Sequence, residues 1–287
     1  MNNIKYFIQF ILIVPIFLFF KLTGLNIASF LGGKLFEIIG PLFRSKKIIH
    51  SNIKKAFPKI SLKDTKIITN EMWNNYGRVF SEYMFIKNYR NNLFNSHITI
   101  KGKEILTDLK KNNKPAIFIS GHFSNFELMA MTIEKLGIKL NAIYRPLNNH
   151  FLNILMERIR KQYICKYQIK KGISGLREII KLNKNSFSTA LMIDQRVSQG
   201  IKSNFFNHKA FTTTIPAKLV KKYNYPIVPL FIERFEGTKF KITIHKPIYF
   251  SKKDSEKEIT DQLNSLLEKM ILIKPGHWIW SHNRWKN

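Results

Sequence analysis

Ile117-Phe118-Ile119-Ser120-Gly121-His122-Phe123-Ser124-Asn125-Phe126-Glu127-Leu128 is an apolar, strand-like run that ends in Gly-His and is followed by a carboxylate. If a helix begins at Ser124, His122 lies just outside its N-terminus and Glu127 falls in its first turn, close enough to fold back onto the imidazole. Glu127 then holds one ring nitrogen and fixes the tautomer. The other nitrogen is free to take a proton from a hydroxyl, help worth roughly 10²–10⁴-fold. The same spacing makes Ser124-x-x-Glu127 a capping box, in which Glu127 satisfies a backbone N–H at the helix start, so spacing alone leaves both readings open. A metal role is less favoured, because zinc sites of the His-Glu-x-x-His kind need a second histidine on the same helix face and none follows.

Outward from this run, short strand patterns alternate with helical ones. Strands are expected over 97–101, 116–120, 139–144, 189–193, 227–232 and 240–245, with helices around 127–136, 152–161, 174–182, 216–223 and 256–271. Such alternation predicts an α/β domain with a central, mostly parallel sheet flanked by helices. The last two strands flank Gly237-Thr238 and suit an antiparallel hairpin. In open α/β sheets chemistry gathers beyond the carboxyl ends of strands. Gly121-His122, Arg145 and Asp194-Gln195 each directly follow a predicted strand, so they are expected to converge on one cleft.

The N-terminal region has a different character. Residues 4–20 are almost wholly apolar, broken by Lys5, Gln9 and Pro15, and cover roughly 25 Å as a helix, slightly short of a bilayer core. A membrane-anchoring helix is the expected consequence. An amphipathic stretch follows through Ile39, then Lys46, Lys47, Lys54 and Lys55, a basic flank that suits anionic lipid at a cytoplasmic face. A cleaved signal peptide is the main rival, but no Ala-x-Ala site is present and the apolar character runs on. The chain therefore divides into an anchor and amphipathic segment, 1–45, and a single catalytic domain, 46–287. Ser61 opens a long helical pattern through Trp73 and Met84 that is expected to face the core.

At 287 residues, with 45% hydrophobic and 13% aromatic content, the chain has ample material for a buried core and is not disordered. Its 48 basic and 18 acidic residues give a net charge of +30, which favours an anionic partner without choosing between nucleic-acid and lipid phosphates. No nucleic-acid-binding signature, P-loop, Gly-x-Gly-x-x-Gly or Cys/His cluster is present, so no nucleic acid, cofactor or metal is expected. The single cysteine, Cys165, excludes an internal disulfide and suits a reducing compartment.

Several blocks together resemble the bacterial lipid A late acyltransferases, the lauroyl/myristoyl family related to glycerolipid acyltransferases. Gly121-His122-x4-Glu127 is similar to the first signature of that family. Asn52-Ile53-x-x-Ala56-Phe57-Pro58 and Gly77-Arg78-x3-Glu82 resemble its N-terminal helical region, and Tyr144-Arg145-Pro146-Leu147-Asn148 its second block. Asp194-Gln195 with Gly200, Phe205-Phe206, Ala210 and Thr212 is similar to the third, and Pro275-Gly276-His277-Trp278-Ile279-Trp280-Ser281-His282-Asn283-Arg284-Trp285 to the Trp-rich ending. Ser124, Phe126, Asn207 and Asn283 depart from the usual residues; none removes His122 or Glu127, and they bear on the choice of acyl acceptor.

The resemblance implies a membrane-bound acyltransferase with a glycerolipid-acyltransferase-like fold. It would move an acyl chain from acyl carrier protein to a hydroxyl of an anionic glycolipid, a lipid A precursor, at the cytoplasmic face of a bacterial inner membrane. His122 would be the general base and Glu127 its orienting partner. Arg145, Asp194 and Gln195 are implied as substrate-binding residues. Acceptors of glycerophospholipid or amino-lipid type are the alternative within the same chemistry, and a basic membrane- or nucleic-acid-binding protein is the alternative outside it.

Overall fold

A computed structural model describes residues 2–286. Its N-terminal part is helical: α1 (Asn2–Thr23), α2 (Leu25–Phe43), α3 (Lys46–Ala56), α4 (Leu62–Glu82) and the short α5 (Ile86–Arg90). Strands and helices then alternate as β1 (Ile98–Lys101), α6 (Lys103–Lys111), β2 (Ile117–Ser120), α7 (Glu127–Lys135), β3 (Leu140–Tyr144), α8 (His150–Ile159), β4 (Tyr167–Lys170), α9 (Ile173–Lys184) and β5 (Ser188–Met192). A hairpin of β6 (Ile201–Phe205) and β7 (His208–Thr212) precedes α10 (Ile215–Tyr223), β8 (Ile227–Glu236), β9 (Lys239–Ile244) and α11 (Glu256–Ile273).

The main sheet has seven strands in the order β1-β9-β8-β2-β5-β3-β4. All neighbours pair in parallel except β8 and β9, the antiparallel hairpin expected at Gly237-Thr238. Strand β2 sits fourth of the seven and every one of its residues is buried, which explains a sequence that is apolar without alternation. The expected α/β class and mostly parallel sheet are therefore present.

The alternation pattern did not reveal β4, β6 or β7. β4 is a four-residue edge strand. The β6–β7 hairpin turns at Phe206 and Asn207, both at positive φ (50° and 59°), where Asn-Gly would have signalled the turn. The helix expected around 127–136 starts at Glu127, and a start at Ser124, the condition for the His122–Glu127 pair, is prevented because Ser124 has φ 43° and lies in the left-handed region.

α1 and α2 are both long and apolar enough to cross a membrane, and only 11% of the α1 stretch is buried within the protein. Ile4, Ile8, Ile11, Leu12, Leu18 and Leu22 are exposed along it. Its other side rests on α8, where Phe7 and Phe10 meet Phe151 and the Asn149 side chain donates to the Tyr6 carbonyl at 2.8 Å. The expected boundary at residue 45 falls in the bend between α2 and α3, and α2 lies along α4. These two helices touch backbone to backbone at Gly32 and Gly77.

A β-carbon at Gly77 would overlap the Gly32 carbonyl, a backbone group that cannot step aside as a side chain can. Gly77→Ala gains about 1 kcal/mol of helix propensity, while overpacking typically costs about 1–3 kcal/mol. The clash should win, so this variant should unfold at a lower temperature than wild type in a thermal melt; a raised midpoint would show that the α2–α4 contact is loose.

Candidate active site

β2 and β5 are parallel neighbours with Ser120 opposite Met192. Continuing that register two residues past each strand end places His122 beside Asp194. The Ile193 N–H donates to the Ser120 carbonyl at 2.9 Å, so the pairing persists beyond the strands. Asp194 Oδ1 then meets His122 Nδ1 at 2.7 Å, and Asp194 Oδ2 accepts the His122 backbone N–H at 2.7 Å. The Trp278 indole N–H completes the set on Oδ2 at 2.9 Å. Three donors thus satisfy a carboxylate whose side chain is 0% exposed.

An ionised carboxylate only accepts, so Nδ1 carries the imidazole proton and Nε2 keeps its lone pair. Burial acts to lower the His122 pKa, but the Asp194 charge and its hydrogen bond outweigh it and hold the ring above its ordinary value. Burial alone would raise the Asp194 carboxyl; His122 and Trp278 hold it below the usual carboxylate range. This is an oriented base with a partner that stabilises its protonated form.

The hydrogen-bonded His122–Glu127 pair expected from the sequence does not form. With α7 starting at Glu127, the carboxylate turns to Arg160, which donates from Nε at 2.8 Å and from Nη2 at 2.5 Å. Glu127 still acts on His122 through space, raising its pKa, while Arg160 opposes it. Nor does the capping box form. Ser124 Oγ accepts the Arg234 backbone N–H at 3.1 Å and lies 2.8 Å from His277 Nδ1.

Arg160 was not singled out by the sequence. It opens a π-helical turn, 160–164, after α8, a local insertion of the kind that re-aims a side chain and has no sequence signature here. Tyr83, at the end of α4, lies in the same corner. Its hydroxyl is buried beside Glu127 and Arg160, and burial pushes its pKa up.

His122 opens on a cavity of about 170 Å³ between α4 and the C-terminal segment. Val79, Phe126 and Ile279 give it apolar walls, and Asn75, Tyr76, Ser124, His277 and Trp278 complete it. The imidazole is 22% exposed there and makes an edge contact with Phe126, ring centroids 4.8 Å apart. A second cavity, lined by Lys110, Lys114 and Lys139, lies at the amino ends of the strands, across the sheet from His122.

The loop bearing His122 is held from below by a second buried carboxylate. Glu82 on α4 is 0% exposed and accepts from Ser29 of α2 at 2.7 Å, from Asn125 at 3.0 Å and from both terminal nitrogens of Arg234 on β8 at 2.5 and 3.0 Å. Helix–helix packing, the sheet and the histidine loop meet at that group.

Trp278, Trp280 and Trp285 are buried, so the Trp-rich terminus is a packed cap and not a set of membrane-facing rings. Phe205 stacks on Trp285 at 5.4 Å inside this cap and belongs to the core. Arg145 is exposed at the end of β3 and makes no hydrogen bond or ion pair to the His122 group among the described residues. It lies near Lys171, whose pKa is lowered first by burial and then by Arg145. Gln195 is half-buried beside Asp194, and its side chain makes no hydrogen bond among the described residues. Of the five expected site residues, His122 and Asp194 are in contact and Glu127 is adjacent, while Arg145 and Gln195 are joined to them by no side-chain hydrogen bond or ion pair among the described residues. Among the described residues no cluster of His, Cys, Asp or Glu has the makings of a metal site.

Comparison with known proteins bears on this geometry. The profile of the bacterial lipid A biosynthesis acyltransferases matches residues 1–287. A lipid A biosynthesis acyltransferase of Haemophilus influenzae is 24% identical over 260 residues, 88% of this chain and 81% of that one. The lipid A biosynthesis lauroyltransferase of Escherichia coli is 21% identical over 251 residues, covering 85% and 79%. A crystal structure of a 1-acyl-sn-glycerophosphate acyltransferase from Thermotoga maritima aligns over 96% of this chain and 99% of its own, with 14% identity and a TM-score of 0.42. With the family profile spanning the whole chain, this protein belongs to the bacterial lipid A biosynthesis acyltransferase family and is an acyltransferase.

Proposed function

We propose that the enzyme moves a fatty acyl chain from the thioester of acyl carrier protein to a hydroxyl of a lipid A precursor, with His122 as general base. The observation that carries this reading is the Asp194-oriented His122, with Nε2 free, at the mouth of an apolar cavity. Nε2 takes the proton of the acceptor hydroxyl as its oxygen attacks the thioester carbonyl. The tetrahedral intermediate then collapses, the C–S bond breaks, and the departing thiolate recovers the proton from His122. Asp194 stabilises the imidazolium between the two transfers. Glu127, fixed by Arg160, adds a second negative charge nearby that favours the same state. Arg145 and Lys171, close to each other, offer a cationic pair for a phosphate of the acceptor.

The membrane reading rests on α1 and α2. α1 has 22 residues, about 33 Å of helix, and its exposed face is apolar. Ile27, Phe30, Ile38, Leu42 and Phe43 extend this surface along α2, and Leu147 and Ile154 along the neighbouring loop and α8. Contiguous apolar area of this kind marks a membrane contact. The basic residues of α3, Lys46, Lys47, Lys54 and Lys55, favour the cytoplasmic leaflet of an inner membrane.

Membranes containing the wild-type protein, supplied with labelled acyl-carrier-protein thioester and a lipid A precursor, should yield a lipid heavier by one acyl chain in a mass spectrum. His122→Ala should yield none. A product formed equally by His122→Ala would remove the base from the mechanism, and acyl transfer to phospholipid alone would reassign the acceptor.

The raised His122 pKa sets the sign of the pH dependence. The protonated ring cannot act as base, so the rate should rise with pH through a midpoint above the ordinary imidazole value near 6.5. The stabilisation from the charged His122–Asp194 pair runs the other way: complete below that ordinary value, and lost as pH climbs through the raised one. A rate midpoint below 6.5 would show that Asp194 does not carry the charge in the working enzyme.

Membrane fractions washed in concentrated salt should keep the protein, and detergent should release it. Release by salt alone would reveal attachment by charge, which screens at high ionic strength, and would contradict insertion of the apolar helices.

A further inference from the structure

Two imidazoles face the cavity, and the mechanism above uses one. The second, His277, lies in the C-terminal segment whose next residue, Trp278, fixes Asp194. Its Nδ1 is 2.8 Å from Ser124 Oγ. Ser124 Oγ accepts the Arg234 backbone N–H and still has its own proton to give; donated to His277, that proton makes Nδ1 the acceptor and leaves the proton of the neutral ring on Nε2. That edge of the ring has no hydrogen-bond partner among the described residues, although the ring lines the cavity.

We propose that His277 is the oxyanion-stabilising residue of the reaction, its Nε2–H donating to the carbonyl oxygen of the bound thioester while His122 Nε2 serves the acceptor hydroxyl. The inference rests on the acyl-transfer reading. As the hydroxyl oxygen bonds to the carbonyl carbon, the C=O electron pair moves to oxygen and the hydroxyl proton moves to His122. His277 keeps its own proton throughout and strengthens its hydrogen bond as charge builds on that oxygen. When the carbonyl reforms, the C–S bond breaks and the thiolate takes the proton from His122.

Three observations support the assignment. The two rings line one cavity of about 170 Å³. Ser124 is held at its left-handed φ of 43° by bonds to β8 and to the terminal segment, since its backbone N–H also donates to the His277 carbonyl at 3.2 Å, so the hydroxyl that faces His277 Nδ1 is fixed in place. Burial, reinforced by Lys274, Arg234 and Arg78, pushes the His277 pKa down to about 3, so the ring stays neutral and does not compete with His122 for protons. A neutral imidazole is an effective fixed donor to a developing oxyanion.

Two near-isosteres separate this role from a structural one. The Gln side-chain amide reaches the position of Nε2 and supplies an N–H to the cavity, whereas the Asn amide reaches the position of Nδ1 and serves only Ser124. Full-length His277→Gln, His277→Asn and His277→Leu would be assayed beside wild type with acyl-carrier-protein thioester and lipid A precursor, each first checked by thermal melt. His277→Gln should stay within about tenfold of wild type. His277→Asn and His277→Leu should lose roughly 10²–10³-fold in kcat with little change in KM, the usual cost of removing one oxyanion donor. Asn matching or exceeding Gln, Leu retaining the wild-type rate, or Gln and Asn failing equally would each overturn the assignment while leaving acyl transfer intact. A wild-type protein that transfers no acyl group would instead overturn the reading on which it rests, and this assignment with it.

Discussion

The buried carboxylate of Asp194 is the constraint around which the site is arranged. An ionised group with no solvent contact is tolerated only when its lone pairs are filled, and here the donors come from separate parts of the chain: the His122 backbone and ring beyond β2, and the Trp278 indole from the C-terminal segment. The carboxylate itself hangs from the end of β5. Sheet register brings the strand ends together, and the terminal segment is drawn across the mouth of the sheet to supply the last donor. The orientation of the His122 ring, its tautomer and its raised pKa all follow from that one requirement.

A second buried carboxylate repeats the logic one layer away. Glu82 joins α2, α4, the loop after His122 and β8 through a set of hydrogen bonds that would be costly to break, about 3–5 kcal/mol when one partner of such a pair is removed. Because α2 also carries exposed apolar residues, the surface proposed to meet the lipid and the loop that holds the base are parts of one rigid assembly. A substrate arriving from a bilayer would thus meet a site whose geometry is already set.

Much of the sheet was legible in the sequence because its strands are short apolar runs bounded by turns, and because most chemistry-bearing residues directly follow them. His122 and Asp194 were both identifiable on that ground. Their contact was not, since it depends on β2 lying next to β5, a matter of strand order that no local pattern encodes. Proximity along the chain allows Glu127 as the partner and the resemblance implies it, but the left-handed turn at Ser124 comes before the helix and the carboxylate meets Arg160 instead. Arg160 itself sits on a π-turn, and one arginine among several basic residues near the end of α8 gave no reason to be picked. That the aromatic terminus is a packed cap shows only in the burial of Trp278, Trp280 and Trp285.

The most direct test of the central claim is the titration of the His122 ring, followed by nitrogen NMR in wild type, Asp194→Asn and Glu127→Gln. Removing the Asp194 charge should drop the His122 pKa well below the wild-type value and release the tautomer, while Glu127→Gln should lower it less, because that carboxylate acts only through space. A larger drop in Glu127→Gln than in Asp194→Asn would contradict the arrangement and restore Glu127 as the partner of the catalytic histidine.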